Sequence, residues 1–311
     1  MVMGPASVTI QESNLAGSQS WRGSFSEFSR AAVLLARSEI RVTIFVWSLT
    51  VSYLVASRLE PNYRTLVLLI PAGYLLVLGI YILSDIADVK DDKINSPNRP
   101  LASGKVKPRQ AEILAILMIA SSILMALFID AATVALFVLF LLLGLSYSIP
   151  RTNVKKRFPL KAVVPSSGAA VISLAGGVAA QGLSPVIFFA AFSFALFALV
   201  TLLIGDIADL KGDAKTGVRS FPLVVGPKNS VWTVIMIPLI ISALGVVLFQ
   251  FARLNIVFPI ILIGLAVYCS ITMRPLLSGY DNPTVCRKVK TRMRVVHFLL
   301  QLTFIIGVLA L

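Results

Sequence analysis

Histidine occurs once in this 311-residue chain and cysteine twice. A single histidine, His297, excludes a zinc site built on several imidazoles, and Cys269 with Cys286 cannot make a disulfide framework. Charge is scarce as well. Asp, Glu, Lys and Arg make up 14% of the residues, where a soluble domain carries about 25%. That excludes an ordinary water-soluble enzyme, and an apolar content of 57% excludes a disordered chain. Acid is the scarcer charge, with 14 Asp and Glu against 28 Lys and Arg, a net of +14. Such a surplus suits either a nucleic-acid partner or the loops of a polytopic membrane protein. The positions of the basic residues decide for the second, with no nucleic acid involved.

About 20 mostly apolar residues cross the hydrocarbon core as a helix. That ruler predicts nine spans, near 38–57, 65–84, 110–129, 131–149, 161–180, 185–205, 229–250, 254–273 and 293–311. The fifth is rich in small residues, from Ser166 to Gly177, which suits close helix packing. Residues 1–30 read as a flexible N-terminal segment and 31–311 as one membrane domain. The first 20 residues lack the basic and apolar regions of a signal peptide, and no Arg-rich transit peptide precedes the first span. Of the 28 basic residues, 25 fall in the N-terminal segment through Arg41 or in segments 85–109, 150–161, 206–228 and 274–294. Only Arg58, Arg64 and Arg253 remain for the other side. This asymmetry puts the N-terminus and the four long loops in the cytoplasm, with the chain in the cell membrane.

Half of the acidic residues lie in two short stretches. Ser84-Asp85-Ile86-Ala87-Asp88-Val89-Lys90-Asp91-Asp92 matches Gly205-Asp206-Ile207-Ala208-Asp209-Leu210-Lys211-Gly212-Asp213 at six of nine positions, offset by 121 residues. Each follows an apolar span, the second and the sixth, so the repeating unit is four helices. The expected fold class is therefore all-α: nine transmembrane helices in two four-helix pseudo-repeats plus one helix, around a central cavity. Asp85, Asp88 and Asp92, and likewise Asp206, Asp209 and Asp213, are spaced i, i+3, i+7, which puts each trio on one face of a helix. Carboxylates crowded this way repel one another, and a hard divalent cation removes the penalty. Mg²⁺ fits, because it keeps waters and is shared with substrate phosphates. Solvated loop charges, a calcium site and a channel selectivity ring are the competing readings; no calcium-binding loop is present.

A diphosphate on a lipid tail is the substrate that fits two acidic clusters among many cations at a membrane surface. Mg²⁺ bridges its charge to the aspartates and helps pyrophosphate depart. Arg99, in a Pro-flanked segment, and Lys105 follow the first cluster; Lys215 and Arg219 follow the second in a comparable position, all within reach of phosphates.

These residues resemble the UbiA superfamily of intramembrane prenyltransferases. The family's first motif, NDxxDxxxD, corresponds to Ser84–Asp92, and its usual continuation to INSPNRPLASGKV at 94–106. Its second aspartate motif corresponds to DIADLKGDAKTGVRSFPLVVG at 206–226. Tyr147-Ser148-Ile149-Pro150 with Lys155 is similar to the YSxPPxxLK stretch of the branch holding chlorophyll-synthase-like enzymes and archaeal digeranylgeranylglyceryl phosphate synthase-like enzymes. The resemblance covers about residues 30–311. It implies Mg²⁺ held through a diphosphate by the six aspartates, phosphate contacts from Arg99 and Lys155, and Tyr147 beside the reacting carbon or the diphosphate. It also implies transfer of a polyprenyl group from an isoprenyl diphosphate donor to a lipophilic acceptor in the bilayer: a lipid alcohol such as a prenylated glycerol phosphate, or a quinone or aromatic precursor. Ser84 in place of the family's Asn, and Arg151 in place of a second Pro, leave the acceptor class and reaction type open. A terpene cyclase on the same scaffold and a lipid-diphosphate carrier are the alternatives. His297 and Cys269 read as packing residues within spans, Cys286 as a loop thiol facing a reducing compartment, and Trp21, Trp47 and Trp232 as interface or packing residues. Glu39 reads as the partner of Arg37 and Arg41.

Overall fold

The computed structural model describes residues 29, 31–35, 40–95, 97–149, 152, 154–180 and 182–309. Trp21, Arg37, Glu39, Pro150, Arg151 and nearly all of the N-terminal segment lie outside the described residues. Among the described residues every regular element is helical, as hydrocarbon requires of a chain that must satisfy its own backbone. The helices are α1 (Ile40–Ala56), α2 (Tyr63–Ala87), α3 (Val89–Asn95), α4 (Pro108–Leu127), α5 (Ala131–Ser148), α6 (Leu160–Ala179), α7 (Pro185–Ala208), α8 (Leu210–Thr216), α9 (Phe221–Val225), α10 (Pro227–Leu248), α11 (Val257–Met273), α12 (Leu276–Gly279) and α13 (Pro283–Val308). Eight helices are long and apolar enough to cross a membrane, and α1 is a shorter apolar helix beside them. The protein is an integral, multi-pass membrane protein.

Local chemistry sets several starts. The Asn62 carboxamide accepts from the N–H of Arg64 at 3.0 Å to open α2, and Asp130 accepts from Thr133 at 2.7 Å to open α5. Asn282 accepts from Thr284 at 2.9 Å, with Pro283 at the first position of α13. The last helix thus begins ten residues earlier than its apolar run predicts. Within the basic stretch Cys286, Val289, Met293 and Val296 are buried, a stripe at helical spacing that docks this part of α13 while Arg287, Lys288 and Arg292 stay exposed. Cys286 is accordingly a buried helical residue, its thiol 3.4 Å from the Tyr280 carbonyl, and not the loop thiol expected.

The repeat of 121 residues survives in three dimensions. Adding it to the ends of α2, α3 and α4 lands on the ends of α7, α8 and α10. Ser52 on α1 and Ser173 on α6, separated by that same 121, meet with their hydroxyls 2.6 Å apart. Equivalent residues touch only on the axis relating the copies, so α1 and α6 flank the pseudo-two-fold. An even number of spans between copies keeps them parallel. The approach there is close: a Cβ on Gly176 would stand 2.1 Å from the Leu49 carbonyl oxygen. One apolar cluster joins α1, α2, α4, α5 and α6 through Leu49, Leu76, Phe137 and Ile172. A second joins α7, α10, α11 and α13 through Phe194, Phe197, Phe258 and Phe304. Leu124, Leu142, Phe188, Val247 and Ile271 are exposed outside these cores, as a lipid-facing surface requires.

Candidate active site

The aspartate motifs sit where long apolar helices give way to short polar ones. Each trio was expected on one continuous helix face. Instead α2 ends at Asp88 and α7 at Asp209, with φ/ψ of −95°/2° and −99°/9°, before α3 and α8 begin. The helical hydrogen bonds carry across both bends, Asp92 N–H to Asp88 and Asp213 N–H to Asp209. Both copies therefore bend at the middle aspartate, so its carboxylate leaves the face shared by the outer two.

Cations complete the geometry. Arg99 Nη1 donates to Asp85 Oδ1 at 3.0 Å and to Asp92 Oδ2 at 2.9 Å. Lys155 Nζ donates to Asp88 Oδ1. Across the axis, Lys161 Nζ pairs with Asp206 Oδ1 at 2.9 Å and Asp213 Oδ2 at 2.6 Å. One cation thus clamps the first and third carboxylates of each trio, offsetting the repulsion that their spacing creates. Asp209 is exposed and stands 3.9 Å from Arg287. Asp85 and Asp206 are buried.

Of the residues expected in the site, the structure joins Asp85 and Asp92 to Arg99 and Asp88 to Lys155, while Asp206 and Asp213 share Lys161 and Asp209 lies near Arg287. Tyr147 is half-buried, one residue from the end of α5. Lys105, Lys215 and Arg219 are exposed and form no ion pair among the described residues. Arg219 contributes its backbone instead: its N–H donates to the Lys156 carbonyl at 3.0 Å, tying the loop after α8 to the turn before α6. Lys161 pairs with the second cluster as Arg99 does with the first. It starts a small-residue span before the second cluster, where it reads as a topology-setting charge. His297 lies buried between Phe194 and Phe197, with ring centroids 6.3 and 5.4 Å away.

Among the described residues no three acidic, histidine or cysteine side chains stand close enough to hold a metal alone. The donors are hard carboxylate oxygens in two separate sets. They fit Mg²⁺, which takes few protein ligands and completes its shell from water and phosphate.

The UbiA prenyltransferase family pattern matches residues 45–305, containing every one of these groups. The chain belongs to that family. A digeranylgeranylglyceryl phosphate synthase from Methanocaldococcus jannaschii is 26% identical over 295 residues, 93% of this chain and all of the relative. Homogentisate phytyltransferase 1 of Arabidopsis thaliana is 33% identical over 178 residues, 51% of this chain and 44% of that protein. A solved digeranylgeranylglyceryl phosphate synthase shares the fold with a TM-score of 0.74 at 23% identity, covering 91% of this chain and 99% of the other. A UbiA homologue from Archaeoglobus fulgidus, solved with GPP and Mg²⁺, gives 0.70 at 17% identity over 89% and 99%. The two clamped aspartate clusters are thus features of a UbiA family member.

Proposed function

We propose that this UbiA family member transfers a prenyl group from an isoprenyl diphosphate to a lipophilic acceptor, releasing pyrophosphate in a Mg²⁺-dependent reaction. The observation that carries the reading is the pair of aspartate clusters, related by the repeat and each clamped by a cation. Asp85, Asp88 and Asp92, with Asp206, Asp209 and Asp213, would hold Mg²⁺ through the diphosphate. When bound, the metal supplies neutralisation of the diphosphate and of the charge growing on the leaving group.

The protein's own residues do the rest by exchanging partners. Arg99, Lys155 and Lys161 neutralise the carboxylates. Once a substrate-borne cation meets those carboxylates, the three side chains are freed to donate to phosphate oxygens. The allylic C–O bond breaks and its electron pair leaves with pyrophosphate; the acceptor hydroxyl oxygen bonds that carbon and passes its proton to the departing pyrophosphate or to water. Tyr147 lies close along the chain to Lys155 and is assigned to the neighbourhood of the reacting carbon. Lys105, Lys215 and Arg219 are assigned to the outer approach, where they raise the local concentration of an anionic donor.

The acceptor is assigned to the lipid-alcohol class, of the glyceryl phosphate type, because a relative matching along its whole length is a digeranylgeranylglyceryl phosphate synthase. The aspartate loops are assigned to the cytoplasmic side of the cell membrane, where 25 of 28 basic residues accumulate. Pyrophosphate release from geranylgeranyl diphosphate, with and without a geranylgeranylated glycerol phosphate, tests the reading. Release that requires the acceptor supports it. A cyclic product from donor alone would replace it with the cyclase.

A further inference from the structure

The last helix lies along α7 in antiparallel register. Phe304 faces Phe189 at 5.5 Å and His297 faces Phe197 at 5.4 Å. Continuing toward the aspartate end, Lys290 meets Gly205 and Arg287 meets Asp209. The contact at Gly205 is specific. A Cβ there would stand 2.3 Å from Lys290 Nζ and 3.3 Å from its Cε. The half-buried Lys290 therefore carries its ammonium into a notch that glycine leaves open, at the residue preceding Asp206. A lysine serving only to set topology would extend into solvent. The first half has no such feature: Ser84 stands where Gly205 does, and Ser166 and Ala169 occupy on α6 the positions of Arg287 and Lys290.

We propose that Lys290 is a diphosphate-positioning residue, lodged over Gly205 to meet the donor's leaving group at the second aspartate cluster. This rests on the prenyl-transfer reading and makes α13 part of the site rather than a ninth span alone. A cation at that place gives the second cluster a phosphate contact additional to Lys161, and it biases the leaving group toward that side of the axis.

Three variants in the full-length protein, purified in detergent, test it. Lys290→Met removes the ammonium and keeps the packing. Gly205→Ala keeps the lysine but evicts its ammonium, and since the displaced atom ends a flexible chain, folding tolerates the change. Lys288→Met removes an exposed charge two residues away. Donor and acceptor KM, kcat, and the thermal shift produced by Mg²⁺ plus pyrophosphate are measured for each. Lys290→Met and Gly205→Ala are expected to raise donor KM at least tenfold and to lose most of the thermal shift. Their acceptor KM and ligand-free Tm should match the parent, and Lys288→Met should match it throughout. Unchanged donor KM, a change confined to acceptor KM, an equal effect from Lys288→Met, or loss of folding in both site variants would overturn the proposal. If the parent releases no pyrophosphate from any donor, the prenyl-transfer reading fails, and the thermal shift alone decides for Lys290. A shift in the parent that is lost in Lys290→Met supports a phosphate site; equal shifts, or none in the parent, overturn it.

Discussion

At the scale of the residue, the site is a problem of like charges solved twice with the same device. Asp85 with Asp92, and Asp206 with Asp213, each share one cation. Neutralising Asp85 or Asp206 to Asn leaves the fold but removes an oxygen proposed to face the metal, so pyrophosphate release should fall about 10²- to 10³-fold in a coupled phosphate assay. Lys161→Met should act differently. It leaves two buried-side carboxylates facing one another, destabilising the ligand-free protein by about 1–3 kcal/mol; thermal unfolding in EDTA should show the loss and added Mg²⁺ should restore it. Were the clamp merely ornamental, EDTA and Mg²⁺ would give the same melting temperature. The paired aspartate clusters were legible in the sequence because the same spacing recurs at an offset of 121 residues. Lys161 was not, because it lies 52 residues before Asp213, in a different helix, among small residues that advertise packing.

At the scale of the element, span positions followed from apolar length alone, while the failures came from amphipathic helix. The stretch of α13 from Pro283 to Arg294, about 18 Å of it, carries Arg287, Lys288, Lys290, Arg292 and Arg294, and a hydropathy window sees only those charges. The buried stripe of Cys286, Val289 and Met293 was present but masked. The bends at Asp88 and Asp209 were hidden as well, since nothing in the motif distinguishes a continuous helix from two helices meeting at a turn. The α1–α6 crossing makes the sharpest packing prediction. Gly176→Ala puts a methyl 2.1 Å from a backbone oxygen that cannot move aside, and overpacking of this kind costs about 1–3 kcal/mol. The melting temperature in detergent should drop. Gly212→Ala, whose Cβ would meet nothing within 4 Å, should melt with the parent and keep its activity.

At the scale of the whole molecule, an offset of 121 residues read from nine letters turned out to organise the bundle, down to the Ser52–Ser173 contact on its axis. The architecture puts both aspartate clusters at one end and the Arg58–Arg253 contact, 2.9 Å from guanidinium to carbonyl, on the connections at the other. Topology is directly checkable. A cysteine replacing Lys215 should react with an impermeant maleimide only after the cells are opened, and one replacing Glu60 should react in intact cells; the native Cys269 and Cys286 are buried and should stay silent. If the two aspartate clusters act together, loss of pyrophosphate toward an acceptor requires both. The most direct measurement is pyrophosphate release by the purified protein with geranylgeranyl diphosphate, varying Mg²⁺ and a membrane lipid extract, beside Asp85→Ala and Asp206→Ala. Release that needs the metal, the extract and both aspartates is the expected result. Release unaffected by either substitution, or none with any donor length, would contradict it.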